Sequence, residues 1–134
     1  MLVKLLENQN FDFGNVAVST TMSLTLVRGV DISKYRNGTL VLRVEDATLS
    51  SGVLLDFDLY PSWPLPADPS RDYESLTSAA NVRLISTSAP GTLLDGALSA
   101  GKGPAVDLVV KATKPVGGGS CSAMVTVGLL LWEA

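Results

Sequence analysis

Hydrophobic residues occupy alternate positions throughout segment 39–61, TLVLRVEDATLSSGVLLDFDLYP, and this pattern constrains the fold more than any other feature. A period of two is typical of β-strands with one buried face. Between the two alternating runs lie Ser50, Ser51 and Gly52, which are small residues that favour turns. The segment therefore predicts two strands joined as a hairpin. Its inward-facing residues are predicted to be Leu40, Leu42, Val44, Val53, Leu55, Phe57 and Leu59.

Turn signals recur about every ten residues along the rest of the chain, and no long amphipathic helix is apparent. Near the start, residues 2–6 predict a strand, residues 8–10 a polar break and Gly14-Asn15 a turn. Further alternating segments predict strands at 23–28, 81–87, 92–98 and 105–112. We therefore expect residues 1–134 to form one all-β domain, an antiparallel, jelly-roll-like β-sandwich of roughly eight strands.

Composition excludes several classes of function. The net charge is −3. The nearest thing to a basic cluster in the sequence is Arg28, Lys34 and Arg36, and Asp31 interrupts it. We therefore expect no nucleic-acid binding. Histidine is absent, which removes the commonest general base and metal ligand. We therefore predict a protein that is not an enzyme and that uses no cofactor or metal. Only 17% of the residues are charged, which suits a surface partly covered by partners.

The N-terminal sequence MLVKLLENQN has a short apolar run that ends at Glu7 and lacks the features of a signal peptide. The longest apolar stretch, 127–132, has the length of a strand and is too short to span a bilayer. We therefore expect synthesis in the cytoplasm and no membrane partner. The single cysteine, Cys121, cannot form an internal disulfide, and it is expected to be a small apolar core residue rather than a reactive thiol.

Four acidic residues are candidates for a site in the predicted hairpin. Asp56 and Asp58 share one face of the second strand, and Glu45 and Asp46 lie on its presumed neighbour. Carboxylates in this arrangement could bind calcium or act as a glycosidase pair. The alternative is a solvated outer face, which we favour because no spaced Asp/Asn/Gly loop accompanies them.

Aromatic residues and a long apolar strand are candidates for contact with a partner. Tyr60, Trp63 and Tyr73 surround a proline-rich segment, 61–78, where they could cap the core, anchor a protein interface or stack on sugar rings. The last strand, 121–133, is apolar on both faces, which predicts a central strand or one buried in an interface. Leu130 and Trp132 are its candidate interface residues.

The stretches YRNGTLVLRVEDATLSSGVLLDFDLYP, DPSRDYESL and VRLISTSAP, with the apolar last strand, resemble small accessory proteins encoded among the structural genes of tailed bacteriophages. The resemblance implies a virion component such as a capsid decoration protein. Its partners would be the major capsid protein or other virion proteins, and it would form a homo-oligomer. The resemblance assigns no residues; our own hypothesis is that segment 61–78 and strand 121–132 make the contacts. The alternative function is a carbohydrate-binding β-sandwich module.

Overall fold

The computed structural model describes residues 2–16, 21–62, 78–85, 88, 90–98, 104–113 and 119–133. These residues form eight β-strands and no helix, which confirms the predicted all-β class. The strands are β1 (Leu2–Val16), β2 (Thr21–Asp31), β3 (Asn37–Leu49), β4 (Leu54–Ser62), β5 (Ala80–Ile85), β6 (Leu93–Ala97), β7 (Ala105–Thr113) and β8 (Gly119–Trp132).

The strands form two four-stranded antiparallel sheets. Sheet A has the order β1-β8-β3-β6, and sheet B has the order β2-β7-β4-β5. The first strand pairs with the last, the second with the seventh, the third with the sixth, and the fourth with the fifth. This nested pairing is that of one long hairpin rolled into a sandwich, which is the jelly-roll arrangement. The prediction of a β-sandwich is therefore confirmed.

The predicted hairpin at 39–61 is wrong, although both of its strands exist. β3 lies between β8 and β6 in sheet A, whereas β4 lies between β7 and β5 in sheet B. The short connection crosses from one sheet to the other. It is held by a hydrogen bond from Ser50 N to Ser120 O, and Gly52 takes a positive φ of 85°. Alternation alone does not distinguish a hairpin from such a crossing, because both give each strand one buried face.

The inner faces of the two sheets form the core. Every residue predicted to face inward in 39–61 is at most 1% exposed, so the predicted orientation of both strands is confirmed. Val82 and Leu84 of β5 are also buried, as their alternation predicts. The other large side chains that are fully buried include Ile32, Leu108, Leu129 and Leu131.

β1 is one continuous strand, so the break predicted at residues 8–10 and the turn predicted at Gly14-Asn15 are wrong. The ladder between β1 and β8 shifts register at three places, and Asn8 has a positive φ of 47°. Bulges therefore accommodate the residues that interrupt the apolar alternation, and pairing continues beyond them.

Candidate functional site

The two faces of β8 have different environments. The inward residues Val125, Val127 and Leu129 are completely buried, whereas the outward Leu130 and Trp132 are 41% and 42% exposed. Because β8 pairs with both β1 and β3, it is a central strand, which was one of the two positions predicted for it. Its outer side chains do not contribute to the core. The role of Leu130 and Trp132 in an interface stays a prediction.

An apolar groove crosses the outer face of sheet A beside these residues. Its volume is about 380 Å³, and all four strands contribute to its lining. Gly128 of β8 forms part of the floor, and a Cβ atom at this position would lie 3.1 Å from Cδ1 of Leu2. The groove is open at Gly128 because glycine has no side chain to fill it. The residues that line it are Leu2, Lys4, Val41, Arg43, Leu93, Thr126, Val127, Gly128 and Leu130.

Sequence reasoning did not identify Leu2, Leu93 or Gly128 as parts of a site. Leu2 lies opposite Leu130 in the β1–β8 ladder, and Leu93 lies opposite Arg43 in the β3–β6 ladder. These juxtapositions depend on pairing between strands that are distant in the sequence. The one local signal was Gly128, because it falls in the outward series of an otherwise apolar strand.

Two ion pairs flank the groove. Lys4 Nζ lies 3.2 Å from Glu7 Oε1, and Arg43 Nε lies 3.1 Å from Glu45 Oε1. Thr126 connects strands here, since its hydroxyl donates to Glu45 Oε1 and accepts from the backbone N–H of Asn8. Both cations keep more than half of their side-chain surface exposed. The groove therefore combines an apolar floor with two accessible positive charges.

The opposite end of the same face is polar. A smaller pocket of about 130 Å³ is lined by residues that include Asn10, Asp46, Thr48 and Ser122. Asp46 Oδ1 accepts a hydrogen bond from the backbone N–H of Ala47. The outer face of sheet A is consequently divided along its length into an apolar end and a polar end.

The acidic residues predicted to lie together are separated by the fold. Asp56 and Asp58 are on β4 in sheet B, whereas Glu45 and Asp46 are on β3 in sheet A, so they do not form one cluster. The separation follows from the crossing connection between β3 and β4. The described residues contain no group of three or more acidic or cysteine side chains that could hold a metal ion.

Asp56 and Asp58 belong to a hydrogen-bonded network on the outer face of sheet B. Arg83 donates to both oxygens of Asp56, at 2.8 and 3.3 Å, and Asn81 Nδ2 donates to Asp58 Oδ1 at 2.8 Å. Asp58 is only 6% exposed, so the favoured interpretation of a solvated face is wrong for this residue. Its burial raises the pKa of the carboxyl group, and the hydrogen bond from Asn81 opposes that rise.

Of the three aromatic residues predicted as contact candidates, the structure describes Tyr60. Tyr60 is 4% exposed; Lys111 Nζ donates to its hydroxyl at 2.6 Å and lies 4.8 Å from its ring centroid. Tyr60 is not part of the core cluster that contains Phe57 and Leu59, so its burial does not decide among the alternatives, and its part in an interface stays a prediction. Trp63 and Tyr73 lie outside the described residues, as does most of segment 61–78.

Cys121 is completely buried on the inner face of β8. Burial raises the pKa of its thiol to about 11. Because the thiolate is the reactive form, this environment suits a packing role. In the part of the chain that the structure describes, no helix is long and apolar enough to cross a membrane.

Comparison with known proteins relates this chain to others through its fold. No family model matches the sequence, and no curated protein matches it. Among solved structures, a chain in the structure of infectious bursal disease virus, Gx strain, is similar with a TM-score of 0.54 and 14% identity. The match covers 98% of this chain and 30% of the viral chain. This chain thus spans less than a third of that viral chain, and the likeness establishes a shared β-sandwich fold.

Proposed function

We propose that this protein is a non-enzymatic structural subunit of a virion that acts through protein–protein contacts. The observation that carries the proposal is the nested eight-strand pairing in two four-stranded sheets. Jelly rolls of this kind are common in viral capsid proteins. The fold likeness to a chain of a virus structure over 98% of the present chain supports the same assignment.

Within a virion, we propose the role of a capsid decoration protein or another head or tail accessory subunit. Such a subunit stabilises a particle by adding buried area across the boundaries between capsomers. The major capsid protein would be one partner and further copies of this chain another. The exposed Leu130 and Trp132 of β8 supply apolar surface for such contacts. Segment 61–78, with Trp63 and Tyr73, is the second proposed contact region.

Co-expression with the genes that neighbour its own gene, in cells where particles assemble, tests this proposal. Particles are separated on a density gradient, and the chain is followed by mass spectrometry across the fractions. We expect it to co-sediment with assembled particles and to raise the temperature at which they dissociate. A chain that stays at the top of the gradient while particles assemble normally would contradict a virion role.

Two variants test the assigned contacts. Leu130→Ser and Trp63→Ala are expected to reduce co-sedimentation, and circular dichroism of each purified variant checks that the fold is retained. If both variants fold and assemble like the parent, the assignment of these contacts is wrong. A polysaccharide pull-down with the same proteins addresses the carbohydrate-binding alternative, and retention there without particle binding would favour it.

A further inference from the structure

Exposed hydrophobic side chains are concentrated at one end of sheet A. Among the described residues, six large hydrophobic side chains are exposed, and four of them, Leu2, Leu93, Leu130 and Trp132, lie on this outer face. Leu2 and Leu93 are the most exposed of the six, at 64% and 66%. We call these four residues, with Val41 and Gly128, the apolar patch. Contiguous apolar surface rimmed by polar residues is typical of an interaction site.

The charges around the apolar patch indicate which partner fits it. Lys4 and Arg43 are the charged residues among the described residues that line the groove; both are more than half exposed, and each is paired with an acid of its own chain, Glu7 or Glu45. Exposed acids lie beside the same patch. Asp95 is opposite Val41 on β6, and Glu7 lies 3.2 Å from the groove residue Lys4. One copy of the surface thus presents apolar side chains, cations and anions together.

A self-complementary surface is what a two-fold contact between identical chains requires, because each patch supplies both halves of the interaction. We propose that the apolar patch is the contact between two copies of this chain, with the groove of each copy receiving apolar side chains of the other. The inference rests on the proposed structural function and names the surface and the partner for one of its contacts.

The size of the patch predicts a weak dimer. The patch crosses four strands spaced about 4.8 Å apart and extends along about seven residues of about 3.3 Å each. It therefore measures roughly 19 by 23 Å, which is an area of about 440 Å² per copy. Two copies then bury about 900 Å², which is below the roughly 1,200 Å² at which stable specific interfaces begin. We therefore expect dimers at about 200 μM and monomers at about 2 μM, in the range of transient complexes.

Sedimentation equilibrium of the purified chain over this concentration range is the test. Leu130→Ser and Leu93→Ser are expected to weaken dimerisation at least about tenfold, since both remove apolar anchors of the contact. Leu93 lies on the short edge strand β6, so its replacement disturbs the fold least. Leu24→Ser is the matched control, because Leu24 is 47% exposed but lies on β2 in sheet B.

Two outcomes would overturn the proposal. One is a parent chain that remains monomeric at 200 μM, and the other is a control variant that loses dimers as much as the patch variants do. If the monomeric parent joins particles and its Leu130→Ser variant loses co-sedimentation, the patch binds a different virion protein. That result would leave the virion role intact. The chain could also form dimers that depend on the patch and yet fail to join particles. That result would support the contact between copies and contradict the virion role.

Discussion

Gly96→Ala tests how closely the two sheets approach each other at one edge of the sandwich. Gly96 lies on β6 in sheet A, opposite Leu40 of β3. A Cβ atom at Gly96 would overlap the backbone carbonyl oxygen of Asn81 on β5 and would lie 3.3 Å from Cγ2 of Val82. Both neighbours belong to sheet B, and the closest is backbone, which cannot rotate away. The substitution must therefore move β5 and β6 apart.

The expected effect follows from the cost of overpacking. Forcing one extra methyl group into a tight contact costs about 1–3 kcal/mol of unfolding free energy. For a chain of 134 residues, 1 kcal/mol corresponds to about 3–5 °C in Tm, so we expect Gly96→Ala to lower Tm by roughly 3–15 °C. Differential scanning calorimetry measures the change directly. It also shows whether the transition stays two-state.

Gly128→Ala is the matched control for this prediction. Its Cβ atom would meet the end of the Leu2 side chain at 3.1 Å, and that side chain is 64% exposed and free to move aside. Alanine in a strand also loses less backbone entropy on folding than glycine, which favours it by about 0.5–1 kcal/mol. We expect Tm to change by less than about 3 °C. If Gly96→Ala is as stable as Gly128→Ala, the close approach of β5 and β6 is wrong.

Three further predictions concern individual side chains. Because burial raises the pKa of Asp58 above 3.8, the stability contributed by its protonated form is full below pH 3.8 and is lost as the pH rises through the folded-state pKa. Asp58→Asn should therefore be more stable than the parent at pH 7 and lose that advantage towards pH 3.8, as measured by urea unfolding. Leu129→Ala should cost about 2–5 kcal/mol and Leu130→Ser less than about 1 kcal/mol, because only Leu129 faces the core; equal losses would contradict the orientation of β8. Cys121 should react with iodoacetamide at pH 8 only after unfolding, because its thiol is buried and its pKa is about 11; rapid labelling of the native chain would contradict this.

The alternation of apolar and polar residues correctly predicted the inward-facing side chains of strands that have one buried face. In β3, β4 and β5 the residues chosen as inward-facing are the buried ones, because alternation records burial directly. The same reasoning failed where the outcome depends on distant segments. Whether β3 pairs with β4 or with β8 depends on long-range pairing, and the bulges of β1 are defined only against the register of β8. Asp58 was placed on the correct face, but its burial was not predicted.

The outer faces of the two sheets differ in how their side chains are buried and bonded. On sheet B, Asp58 and Tyr60 face outward from the sandwich core yet are buried, and hydrogen bonds from Asn81 and Lys111 satisfy them. Removing either partner would take a hydrogen bond from a buried polar group, which costs stability. On sheet A, Leu130 and Trp132 fill no core position, and exposed apolar groups invite association. Polar residues at these two positions would leave the core unchanged. The outer apolar residues of sheet A can therefore change without changing the fold, which is what the proposed contact role requires.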